Sequence, residues 1–116
     1  MNWLRVAGVL GFLGVALGAF GAHGLRGRVA QNLLEAYQTG AQYHLVHAAV
    51  LLALALYGRA TNAPIGLSAG CFSAGIALFS GSLYLMAATG VTKLGMVTPL
   101  GGLAFLAGWA SLLTLR

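Results

Sequence analysis

The last stretch of the chain, residues 94–115, runs for 22 residues without a charged side chain, and three more stretches of the same kind precede it. A soluble domain carries about a quarter charged residues. This chain of 116 residues has six lysines and arginines and one acidic residue. They fall at the joins between apolar segments, where anchors and topology signals sit in membrane proteins. Water is therefore excluded as the solvent for most of the surface, and the chain is expected to live in a bilayer. A hydrocarbon core about 30 Å thick takes roughly 20 apolar residues per helix. Four such spans with short links nearly fill the length, giving one domain and no soluble head to carry chemistry outside the membrane.

The spans are expected at residues 3–22, 31–58, 64–88 and 95–115, packed as an all-α antiparallel bundle. Trp3 is placed as an interfacial anchor and Arg5 to snorkel. Asn62 and Pro64 give a stop followed by a start, and Pro99 falls in a first turn, where a missing N–H costs least. Residues 1–22 carry features of a signal peptide, with Arg5, an apolar run and small residues at Ala19, Gly21 and Ala22. Three further spans follow, so the segment reads as a retained first helix.

Small residues recur three and four apart: Ala7, Gly11, Gly14, Gly18 and Gly21 in the first helix; Gly66, Gly70, Ser73, Ala77 and Ser80, continued by Tyr84, in the third; Gly101, Ala104, Gly108 and Ser111 in the fourth; the second helix gives Glu35, Gln38, Gln42, Ala49 and Ala53 at the same rhythm. That spacing keeps one seam on one side of a helix and lets backbones approach. In lipid the seam supplies what hydrophobic drive does not, because acyl tails are as apolar as leucine.

Formal charge is +5, yet the cations are scattered singly, so no nucleic-acid-binding face is expected. Arg5, Arg59 and Arg116 belong to one end of a four-span bundle; Arg26, Arg28 and Lys93 belong to the other. Three against three decides orientation poorly; the reading leans to both termini in the cytoplasm. Cys71 is the only cysteine and has no intrachain disulfide partner.

Four segments carry a resemblance: LGAFGAHGL at residues 17–25, YQTGAQYHLVH at 37–47, LFSGSLY at 78–84 and VTPLGGLAFLAGW at 97–109. In this order and spacing the chain resembles the small bacterial inner-membrane proteins grouped as "domain of unknown function 423", relatives of eukaryotic transmembrane protein 256. The resemblance implies a multi-pass inner-membrane protein and no particular activity.

Few residues offer chemistry. Glu35, the only acid, shares a helix face with Gln31, Gln38, Thr39 and Gln42. An intramembrane carboxylate suits proton coupling or cation binding; at the membrane edge it would instead pair with Arg26 or Arg28. If the hydrocarbon span starts near Ala36, Gln38 and Gln42 are buried and must bond to other helices. His44 and His47, about a turn apart, suit a relay, a metal pair or a headgroup site. For a metal they lack a third donor, so a neutral pair bonded to hydroxyls or backbone of neighbouring helices is the plainer reading. His23 is placed to cap the first helix. Ser80, Ser82 and Tyr84 have no acid–base partner in sequence, and interhelical hydrogen bonding accounts for them.

No catalytic set, metal site or cofactor is therefore expected. The favoured reading is a membrane protein that binds a lipid or a membrane partner protein, or a second copy of itself, without turnover. The alternative is a small oligomeric transporter or channel using Glu35 and the polar face of the second helix.

Overall fold

The computed structural model describes residues 2–115; Met1 and Arg116, which enter the signal-peptide and orientation readings, lie outside them. Four helices are long and apolar enough to cross a membrane: α1 (Trp3–Leu25), α2 (Gln31–Thr61), α3 (Gly66–Thr89) and α4 (Thr92–Leu112). They alternate in direction, and each lies against the next in sequence. Of the most apolar part of each helix, 44% is buried in α2 and 39% in α3, against 11% in α1 and 17% in α4. The bundle is thus a central α2–α3 pair flanked by two helices with wide lipid-facing surfaces. Arg5 and Arg59 mark one end, Arg26, Arg28 and Lys93 the other.

Helix ends follow from local chemistry. Asn2 caps α1 by accepting the Arg5 amide at 3.3 Å. α2 and α3 stop with the same device. Thr61 bonds back to the Tyr57 carbonyl at 2.7 Å and accepts the Ala63 amide; Thr89 bonds to Leu85 at 2.6 Å and accepts the Val91 amide. Each threonine is followed by a left-handed residue, Asn62 at φ 58° and Gly90 at φ 76°, the conformation that ends helices at asparagine or glycine. α2 consequently runs past residue 58. α3 starts at Gly66 rather than Pro64, because the first helical bond runs from the Ala69 amide to Ile65. α4 opens with a 3-10 turn, Thr92–Met96.

Two π-helical turns interrupt the α-helical pattern, Leu17–Gly21 in α1 and Ile76–Ser80 in α3. A π turn adds a residue and rotates the face beyond it by about 100°. The straight stripe expected in the third helix is broken by this turn. The buried face runs instead through Ser68, Ala69, Phe72, Gly75 and Ile76 before the turn and Ser80, Leu83 and Ala87 around and after it.

The core has three levels. One apolar cluster, built on Leu51, Leu54, Ala69, Phe72, Ile76 and Phe105, fills the Arg5 end. A second, with Ala22, Leu34, Tyr37 and Ala87, fills the Arg26 end. Along α2 and α3 the buried polar residues His44, His47 and Ser80 fall between them.

Glycines set the spacing, though not all of those expected. A Cβ at Gly14 would lie 2.8 Å from Leu45, and one at Gly108 2.8 Å from Phe72; one at Gly101 would strike the Phe79 backbone and one at Gly21 the Tyr37 hydroxyl. At Gly18 it would make an ordinary contact with Ala41, at 3.6 Å. Gly11 and Gly70 correct the seam: a Cβ there meets nothing within 4 Å. Gly70 lies before the π turn and beside the buried face made there by Ser68, Ala69 and Phe72. Gly11 lies where α1 and α2 part below Gly14. Gly40, unassigned in the sequence reading, is the close approach between α2 and α3, with a Cβ falling 3.1 Å from that of Leu83.

Gly101→Ala is expected to destabilise the bundle by about 1–3 kcal/mol through overpacking. Gly70→Ala is expected to be neutral or stabilising by up to about 1 kcal/mol, since it removes a helix glycine into open space. Reversible unfolding of both variants in mixed micelles checks the pair. Equal effects would contradict the seam.

Candidate functional site

The buried polar layer forms from hydrogen bonds that fix each imidazole in one tautomer. His44 Nε2 lies 2.7 Å from the Leu10 carbonyl. A carbonyl only accepts, so Nε2 carries the proton and Nδ1 accepts the Tyr84 hydroxyl at 2.8 Å. His47 takes the opposite tautomer. Its Nδ1–H donates to the Tyr43 carbonyl at 2.8 Å, and its Nε2 accepts the Trp109 indole N–H at 3.1 Å. The His47 ring also stacks on Phe105, centroids 3.8 Å apart and planes 12° from parallel. Both nitrogens of both rings are therefore engaged within the protein, and α1, α2, α3 and α4 are tied together by two side chains of α2.

The hydroxyls serve the same end. Ser80 Oγ donates to the Gly40 carbonyl at 2.6 Å across the α2–α3 approach. Ser82 donates to Phe79 within α3 and faces Thr98 of α4 at 2.6 Å. Ser68 pairs with Ser111 between the same two helices. The Tyr37 hydroxyl donates to the Leu17 carbonyl at the start of the α1 π turn. Gly21 is what leaves room for it. Among the described residues no buried side-chain nitrogen or oxygen lacks a partner.

The remaining candidates are not in this layer. Glu35 is exposed and accepts the Gln31 side chain at 3.4 Å. It does not pair with Arg26 or Arg28, which corrects the expected ion pair. Gln38 and Gln42 are exposed on the flank of α2, not bonded to other helices as expected. They meet His23 and Arg26 instead, in a groove of about 360 Å³ between α1 and α2 whose floor is Gly18, Ala19, Ala22 and Ala41. Leu45 closes this groove and opens a second of about 570 Å³, lined on α1 by Ala7, Gly8, Gly11 and Phe12 and on α2 by Ala48, Ala49 and Leu52. The two lie in line along the α1–α2 flank as a shallow channel interrupted where Leu45 packs on Gly14, polar towards the Arg26 end and apolar beyond Leu45.

The sequence reading therefore named His44, His47, Ser80, Ser82 and Tyr84 but missed their partners Trp109, Thr98 and the Leu10 carbonyl. An indole N–H in an apolar span must find an acceptor, which is the one signal that pointed to Trp109. Arg26 was read as a topology signal and not as a groove residue; nothing in its spacing shows that α1 and α2 leave a channel beneath it.

Replacing His47 by Phe keeps the stack on Phe105 and removes the acceptor of Trp109. A double-mutant cycle of His47→Phe with Trp109→Phe is expected to give a coupling of about 0.6 kcal/mol, up to about 1.7 kcal/mol. Unfolding free energies of the four proteins measure it, and zero coupling would remove the bond from the account.

Comparison with known proteins yields a family of unknown function and relatives named as membrane proteins. The family model described as "Protein of unknown function (DUF423)" matches residues 17–102. The UPF0382 membrane protein YwdK of Bacillus subtilis is 46% identical over 99 residues, covering 84% of this chain and 80% of that one. A UPF0382 membrane protein of Haemophilus influenzae is 41% identical over 111 residues, 96% of this chain and 90% of the relative. The UPF0382 inner membrane protein YgdD of Escherichia coli is 41% identical over 111 residues, 95% and 85% of the two chains. No solved structure matches.

Proposed function

The chain belongs to the DUF423 family of bacterial membrane proteins, and from that premise we propose that it binds one membrane lipid along the α1–α2 flank, in the bacterial inner membrane, without catalytic turnover. The observation that carries this reading is the pair of grooves lying in line on this flank, one polar and one apolar, with Leu45 between them. Its apolar half is built on Gly8 and Gly11, where a side chain would meet no protein atom within 4 Å. Glycine at those places leaves the trough open to its surroundings, and hydrocarbon is the medium that surrounds it.

Absence of turnover is supported by the use already made of the reactive groups. The imidazoles, Ser80, Ser82 and Tyr84 are committed to hydrogen bonds that hold helices together. A nucleophile or general base needs a group free to move a proton to substrate. Glu35, the residue on which transport would turn, sits at the water end of α2 and bonds to Gln31.

The double substitution Gly8→Leu with Gly11→Leu places side chains in the apolar trough, at two positions where a Cβ meets no protein atom within 4 Å. Native mass spectrometry from mild detergent is expected to show one retained lipid per wild-type chain and its loss in the variant, with helicity unchanged by circular dichroism. Retention to the same extent in a folded variant would refute the channel as the binding place.

A further inference from the structure

We infer that the polar half of the α1–α2 channel recognises the phosphate of an anionic phospholipid, with Arg26 as its charged contact. This rests on the lipid reading above and adds the headgroup class to it.

The channel changes chemistry along its length in the order that a phospholipid does. Arg26 and His23 stand at the end of α1, Gln38 and Gln42 follow along α2, and Leu45 begins the apolar part. Phosphate, ester oxygens and acyl chain require a cation, amide donors and an apolar wall, in that sequence. None of the four polar side chains has a hydrogen-bond partner in the protein among the described residues. Among the described residues every buried side-chain nitrogen and oxygen of the interior is paired.

Depth sharpens the contrast. Gly18 faces Ala41 and Gly21 faces Tyr37, so the end of α1 is level with Leu34, and Gln42 lies eight residues further in, about 12 Å at the helical rise. An exposed amide so far along an apolar span faces lipid rather than a protein partner. A lipid ester reaching down the groove supplies the oxygen it lacks.

Charge selects the headgroup. The groove is lined by Arg26 and His23 and by no carboxylate. Glu35 is on the α2 stripe one turn nearer water than Gln38 but outside the lining. A headgroup that adds an ammonium finds no anion among the groove's lining residues, whereas one with net negative charge meets the Arg26 cation and the amide N–H groups of Gln38 and Gln42. Arg28, two residues away, carries the same charge but does not line the groove, which makes it a control for unspecific surface attraction.

The test uses the full chain in detergent, titrated with dioleoyl phosphatidylglycerol, phosphatidylethanolamine and phosphatidylcholine and followed by native mass spectrometry. Phosphatidylglycerol is expected to bind one per chain and more tightly than the other two. Arg26→Ala is expected to weaken it about fivefold and to abolish the preference, while Arg28→Ala leaves the preference in place. Inorganic phosphate at millimolar concentration is expected not to compete, since it lacks the chain that fills the trough. Equal binding of the three lipids, or equal effects of Arg26→Ala and Arg28→Ala, would overturn headgroup recognition while leaving lipid binding standing. Competition by free phosphate would overturn it as well. Loss of lipid from wild type, or a dimer that excludes it, would sink the underlying reading instead.

Discussion

A polar group surrounded by hydrocarbon has no water to fall back on, and this structure is organised by that constraint. Each unsatisfied donor or acceptor in the bilayer interior costs several kcal/mol. The response here is local and complete: His44 reaches Leu10 and Tyr84, His47 reaches Tyr43 and Trp109, and Ser80 reaches Gly40. Because the partners lie on different helices, satisfying the polar groups also fixes which helices touch and at what level. The two imidazoles do this with opposite tautomers, each dictated by a carbonyl that only accepts. A protonated His47 would set N–H against the Trp109 N–H, whereas Tyr84 can rotate to accept from a protonated His44. The α2–α4 tie is therefore the less forgiving of the two.

These hydrogen bonds form only because the backbones come close, and closeness is a matter of glycine. Ser80 reaches the Gly40 carbonyl where a Cβ on Gly40 would crowd Leu83. The Phe72 ring lies on Gly108, the Phe105 ring on Gly75 and Tyr37 on Gly21, while the Phe79 backbone lies on Gly101. Aromatic rings filling glycine notches replace the hydrophobic drive that lipid withholds. The π turns belong to the same economy of space, since one of them presents the Leu17 carbonyl to Tyr37 and the other redirects α3 so that Ser80 faces α2.

The four spans were legible from charge placement and length alone, and the polar candidates from their rarity in apolar segments. The seams were legible only in part. Gly14, Gly21, Gly101 and Gly108 follow the three–four rhythm into contact, but Gly70 does not. A π turn shifts the rhythm without leaving a mark in composition. Helix ends moved by a few residues because Thr61 and Thr89 extend capping beyond the apolar run. Glu35 invited an ion pair with loop arginines, and the structure gives it Gln31 instead. Side-chain reach across a loop is set by the angle at which α1 meets α2, which no local pattern encodes.

Where a membrane protein leaves polar groups unpaired is therefore more informative than where it has them. The histidine layer attracts attention in the sequence, yet its groups are consumed in holding the bundle, and any ligand there would have to break bonds that the fold depends on. Gln38, Gln42, His23 and Arg26 have the opposite status. They lie on the flank, uncommitted to the protein, above a trough that glycine keeps open. A lipid bound there replaces no internal contact, so its binding energy is not spent against the stability of the bundle. That separation of a paired interior from an unpaired flank, among the described residues, is what would let the proposed lipid bind without loosening the fold.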